Sequence, residues 1–149
     1  MSAADDLRPR HEQAERRFNE FHLRDYAMTL WMYLRRHGVP LEIDCAHDDF
    51  FSGDDRIPFP GGWHVLAEHG LRPLVTQFVT LACADTEEAR ALRRNVLALR
   101  LVDARDTGEA GLALCGGVVM YRIEPRRREA GFLSPSALEA SLREIVTGA

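Results

Sequence analysis

"WHVLAEHGLRPLVTQFVTLACAD", residues 63–85, decides how this chain folds. It holds two apolar runs, 63–68 and 74–84, separated by His69-Gly70-Leu71-Arg72-Pro73. The second run carries Val75, Phe78, Val79 and Thr80, β-branched or aromatic residues that suit a pleated, half-buried surface, and so predicts a strand. The first run fits either a strand or a short helix.

Upstream, "RIPFPGGW" (56–63) reads as a Pro- and Gly-rich loop. Before it, "VPLEIDCA" (39–46) turns Leu41, Ile43 and Cys45 one way and Glu42 and Asp44 the other, the period-two pattern of a half-buried strand. Residues 5–37 contain no glycine and only Pro9, near the start where proline is tolerated, which predicts a long helix. Leu23, Ala27, Leu30 and Leu34 recur on one face of it, and Phe21, Met28 and Met32, with Trp31 between, form a second apolar stripe. A helix with two apolar faces needs two partners, so one face is expected on the domain's own sheet and the other against a partner chain or ligand segment. Arg35-Arg36-His37 followed by Gly38 supplies the positive last turn and the stop.

Downstream, Asp85 or Thr86 suits an N-cap, Glu87 and Glu88 suit the first turn, and Ala89, Leu92, Val96 and Leu99 fall at helical spacing, predicting a helix over 86–101. "DARDTGEAG" (103–111) is a turn-rich linker, and "LALCGGVVMYRI" (112–123) is two β-favouring runs joined by two glycines, the composition of a tight hairpin. Ser134 then caps a last helix with Pro135 at its first position and Leu138, Leu142, Ile145 and Val146 on its apolar face. The predicted order is α-β-β-β-α-β-β-α in one domain, residues 1–149. It is an α+β architecture with a mostly antiparallel five-stranded sheet and helices packed on one side.

A chain of 149 residues, 46% hydrophobic and 28% charged, can bury a core without disulfide or metal staples. The absence of an apolar leader or long apolar window predicts a cytoplasmic protein without membrane contact. The formal charge of -4 argues against a nucleic-acid partner, and Arg126-Arg127-Arg128 reads as a solvated loop.

Cys45, Cys83 and Cys115 are odd in number and lack a C-x-x-C pair, so neither a disulfide framework nor a structural zinc site is expected. Cys115 precedes "GGVVMYRI", which opens no helix that would stabilise a thiolate, and reads as a residue before a hairpin bend rather than a nucleophile. The acidic residues Asp44, Asp48, Asp49, Asp54 and Asp55 fail the calcium-loop pattern because phenylalanines stand where ligands belong. Cys45, His47, His64 and His69 lack the spacing to converge on zinc. No cofactor is expected and the chain is read as non-catalytic. Phe50, Phe51, Phe59 and Trp63 cluster beside the Pro- and Gly-rich loop, either covering one end of the core or forming an aromatic surface for a partner. With Phe21, Met28 and Trp31 they are the candidate partner-binding residues.

The helix centred on Asn95 followed by a short apolar strand pair, the Ser134-to-Leu138 start of the last helix, the small size and the pI of about 5.9 together resemble the class I chaperones of bacterial type III secretion and the related YbjN-like domains. Within that group the pattern is most similar to the export-control chaperones of plant-pathogen secretion systems. The long aromatic first helix departs from it. The resemblance implies a homodimer that holds extended segments of secreted effector proteins along apolar grooves and delivers them to the secretion ATPase. Leu92, Val96 and Leu99 are the expected dimer contact. An immunity protein that blocks a toxin, or a YbjN-like regulator, is the alternative.

Overall fold

The computed structural model describes residues 3–45, 50–53, 56–59, 61–105 and 109–147, with side chains placed between residues 10 and 145. The chain forms α1 (Ala3–Arg36), β1 (Glu42–Asp44), α2 (Gly62–Val65), a π-helical segment (Leu66–Leu71), α3 (Arg72–Ala82), α4 (Glu87–Asn95), β2 (Ala98–Asp103), β3 (Gly111–Cys115), β4 (Val118–Ile123), a 3-10 segment (Pro125–Gly131) and α5 (Pro135–Thr147). The four strands lie in the order β1-β2-β4-β3, with β1 parallel to β2, β2 parallel to β4, and β3 antiparallel to β4. The fold class is therefore α+β with a four-stranded mixed sheet, which corrects the five-stranded, mostly antiparallel expectation.

The correction begins at residues 63–85. Leu74, Val75, Phe78, Val79, Leu81 and Ala82 are buried while Thr76 and Thr80 face solvent, so the run is an amphipathic helix and not a strand. The spacing of the buried positions is 3.6-periodic, and β-propensity, worth at most about 1 kcal/mol in total range, gives way to a continuous core face. Helical geometry runs unbroken from α2 through the π-helical segment into α3, and the Arg72 N–H reaches back five residues to the Ala67 carbonyl. This wide turn falls immediately before Pro73, which has no N–H to donate and whose ring crowds a regular α-helical ladder.

The second correction lies in 86–101. Thr86 caps α4 by accepting a hydrogen bond from the Ala89 N–H at 3.1 Å, as its position predicts, but the helix ends at Asn95 and β2 begins at Ala98. Leu99 and Leu101 are buried and Arg100 is exposed, a period-two pattern that overlaps the helical one at Leu99. Leu92, Val96 and Leu99 are at most 2% exposed within the chain's own core, so these side chains offer no surface to a second copy.

Other elements follow their local chemistry. The Ser134 Oγ accepts from the Ala137 N–H at 3.2 Å at the start of α5. Gly116 and Gly117, with φ of 58° and 82°, form the two-residue bend between β3 and β4, and exposed Cys115 is the last residue of β3. The inward face of the sheet, Leu99, Leu101, Val119, Tyr121 and Ile123, packs into one core with Leu74, Phe78, Leu138 and Leu142 of α3 and α5. Tyr121 is buried there with its hydroxyl accepting from the Leu133 N–H at 2.9 Å, and burial pushes its phenol up to about 12. Among the described residues no helix is long and apolar enough to cross a membrane.

The arginine run is not a uniformly solvated loop. The Arg126 guanidinium bonds Asp103 at the end of β2, 3.1 Å from its Oδ2, and Glu124 after β4. Arg128, at φ 54°, lies over the Phe59 ring at 4.0 Å.

Candidate functional site

The two faces of α1 organise the surface. Leu23 and Leu34 are buried completely and Ala27 and Leu30 pack partly against the core, while Phe18, Phe21, Met28 and Met32 are each more than half exposed. Buried Asn19 fixes the helix on its neighbour by accepting the Trp63 backbone N–H at 3.3 Å, which occupies one of the unpaired donors at the start of α2. The Trp63 ring stacks on His22, centroids 5.0 Å apart.

A cleft of about 520 Å³ opens between this helix and β1, lined by Arg24, Ala27, Met28 and Trp31 of α1 and by Glu42, Ile43, Asp44 and Cys45. All three residues of β1 and Cys45 after it line the cleft, so it looks along the edge of β1 and not onto a single face of the sheet. Among the described residues β1 is an outer strand, paired only with β2. The Glu42 N–H bonds the Leu97 carbonyl, and strand alternation turns the Ile43 N–H and C=O to the opposite, outer side. The apolar wall is Trp31, Met28, Ala27 and Ile43, and Arg35 lies over the Trp31 ring at 4.4 Å. Asp44 pairs with Arg100 at 2.9 Å, which neutralises one carboxylate at the rim.

This arrangement provides backbone hydrogen-bond groups and apolar contact, not a nucleophile. Cys45 is the one thiol at the cleft, and burial, with a smaller contribution from Asp44, pushes it up to about 12, so it stays protonated at neutral pH. Among the described residues no three His, Cys, Asp or Glu side chains converge as metal ligands. Asp48, Asp49, Asp54, Asp55 and His47 lie outside the described residues. A labelling experiment with a thiol-specific disulfide reagent at pH 8 reads this geometry. Exposed Cys83 and Cys115 are expected to react first, and Cys45, buried and with its thiol pushed up to about 12, to lag far behind them until the chain unfolds. Three equal rates contradict the burial.

The structure divides the candidate partner-binding residues. Phe50 and Phe51 are core residues, at most 4% exposed, beside a loop closed by the Ile57 N–H on the Phe50 carbonyl at 2.9 Å, so they are not surface contacts. Phe59 and Trp63 are half-buried and already occupied by Arg128 and His22. Phe21 is exposed, and Met28 and Trp31 meet at the cleft. Arg24 and the edge of β1 carry no signal of a binding role in the sequence, and Ala27 reads there as part of the core face, because their place in the cleft depends on β1 being outermost, and strand order is not written in local pattern. The chain matches none of the known protein families, curated proteins or solved structures with which it was compared.

Proposed function

We propose that this protein is a non-catalytic binding protein that holds an extended apolar segment of another protein along the edge of β1, in the cleft beneath α1. The observation that carries the reading is the juxtaposition of an outer strand edge with the apolar wall of Trp31, Met28 and Ala27. Adding a strand satisfies the client's backbone through hydrogen bonds common to every sequence, while the wall accepts alternate side chains with little selectivity. Met28 adapts its shape to different side chains, and Trp31 offers a broad rigid face at small entropic cost. Binding of this kind keeps a client unfolded without altering it covalently. The secretion-chaperone role that the sequence resembles is the specific form of this function, with an exported effector as client in the cytoplasm. A single chain builds the cleft, so this function does not depend on a dimer.

The test uses a fluorescein-labelled ten-residue peptide of alternating Ile and Thr, and the same peptide N-methylated at alternate residues. Anisotropy is expected to show a micromolar dissociation constant for the first and at least tenfold weaker binding for the second. Trp31→Ala is expected to weaken the first peptide about tenfold with an unchanged circular dichroism spectrum, as loss of a single aromatic anchor does. Equal binding of both peptides, or indifference to Trp31→Ala, defeats the proposal.

A further inference from the structure

The two faces of β1 offer an added strand different chemistry. Ile43 lies across from Leu99, whose side chain is buried, so it shares the inner face of the sheet with the wall of α1. Glu42 and Asp44 turn to the outer face, across from Ala98 and Arg100, and both are exposed. A strand laid along β1 alternates in the same way. Every second residue then reaches the α1 wall, and those between lie on the outer face beside Glu42 or Asp44.

The two carboxylates differ in what they already hold. Asp44 bonds Arg100 at 2.9 Å, directly across the pairing of β1 with β2. Glu42 stands across from uncharged Ala98, and among the described residues its carboxylate has no ion-pair partner. Arg24 belongs to the α1 wall, on the inner side, and Arg35 lies over the Trp31 ring. The outer-face residue opposite Glu42 therefore meets an unmatched carboxylate at cross-strand distance. Lysine or arginine there gains an ion pair, whereas aspartate or glutamate meets like charge. A second copy of β1, laid antiparallel about Ile43, sets Glu42 against Asp44 on both sides of that residue, acid against acid.

We infer that Glu42 selects the client: the segment held along β1 carries a lysine or arginine on its outer face, opposite Glu42, between apolar residues that face α1. The inference rests on the cleft reading and adds a charge requirement to it.

The probes are the labelled Ile/Thr peptide and two relatives in which one central Thr is replaced by Lys or by Glu. A single charge limits the general attraction of the peptide to a chain of net charge -4. Anisotropy at low salt is expected to show the Lys peptide binding about fivefold more tightly than the Glu peptide, in keeping with one cross-strand charge pair. Glu42→Gln is expected to remove that difference and Glu42→Lys to invert it. Glu129→Lys changes the net charge as Glu42→Lys does, at an exposed position in the 3-10 segment, and is expected to leave the preference in place. Glu42 is exposed, so circular dichroism is expected to stay unchanged in its variants. Equal affinity of the native chain for the Lys and Glu peptides overturns the inference. So does a preference that survives Glu42→Gln, or one that Glu129→Lys inverts, since the net charge of the chain then explains it. In each of these cases the unmodified Ile/Thr peptide still binds the native chain and the cleft reading stands. Failure of all three peptides to bind overturns both.

Discussion

Gly131→Ala is expected to lower the melting temperature by about 10 °C, corresponding to a loss of roughly 3 kcal/mol in a chain of this size. A Cβ at residue 131 would lie 1.7 Å from the Glu124 carbonyl oxygen and 2.5 Å from its carbon, and both are backbone atoms. The collision cannot be relieved by rotating a side chain. The two backbones approach because the Glu124 N–H donates to the Gly131 carbonyl at 2.9 Å, closing the 3-10 segment on itself. Gly53→Ala is the control. Its φ is 80° but no atom of the described residues lies within 4 Å of the added methyl, so the left-handed backbone penalty of about 1 kcal/mol is the expected cost. Thermal melting followed by circular dichroism reads both, and equal losses contradict the close approach.

The segment closed in this way carries Arg126, and Arg126→Met is the second large effect. Asp103 and Glu124 stand at the same end of the parallel neighbours β2 and β4, with side chains 6% and 11% exposed. Arg126 donates to both, so removing its side chain leaves two shielded carboxylates held, among the described residues, by the Arg105 guanidinium 3.2 Å from Asp103 and by two backbone donors, the Arg105 N–H on Asp103 at 3.0 Å and the Arg126 N–H on Glu124 at 3.1 Å. Breaking one partner out of a buried ionic group costs about 3 kcal/mol. Urea unfolding is expected to show that loss for Arg126→Met and a smaller one for Arg126→Lys, which keeps the charge but not the planar fork. The triple variant Asp103→Asn, Glu124→Gln, Arg126→Met is expected to regain part of the stability. If it is no more stable than Arg126→Met alone, packing and not charge explains the cost.

Where sequence and structure agree, a single local signal sufficed. The glycine pair marked the hairpin because only glycine accepts two successive positive φ angles without strain, and Thr86 and Ser134 marked helix starts because their oxygens match a particular orphan N–H. The two-faced character of α1 was legible for the same reason. Where they part, two signals competed. Val75, Phe78 and Val79 are good strand residues at helical spacing, and Leu99 satisfies the helix before it and the strand that contains it. No glycine or proline stands between Asn95 and Ala98 to announce the change. The cleft was legible only on one side. Its helical wall is a stripe in the sequence, but its other wall exists because β1 pairs, among the described residues, with β2 alone, a long-range fact. Arg126 was hidden by its neighbours, since a run of three arginines suggests solvent while one of them is held by two carboxylates, Asp103 at the end of β2 and Glu124 just after β4.

The parallel pairing of β1 with β2 also orders events during synthesis. Asp44 and Arg100, partners across that pairing, are 56 residues apart, whereas the β3–β4 hairpin closes over two. Each doubling of the intervening length adds about 0.6 kcal/mol to the entropy of closure, and the hairpin needs no such wait. α1 and β1 leave the ribosome ahead of residues 98–103, the strand with which β1 pairs among the described residues. The surface that we propose receives a client is thus completed only once that later strand has followed, and until then its apolar residues stand open on the nascent polypeptide.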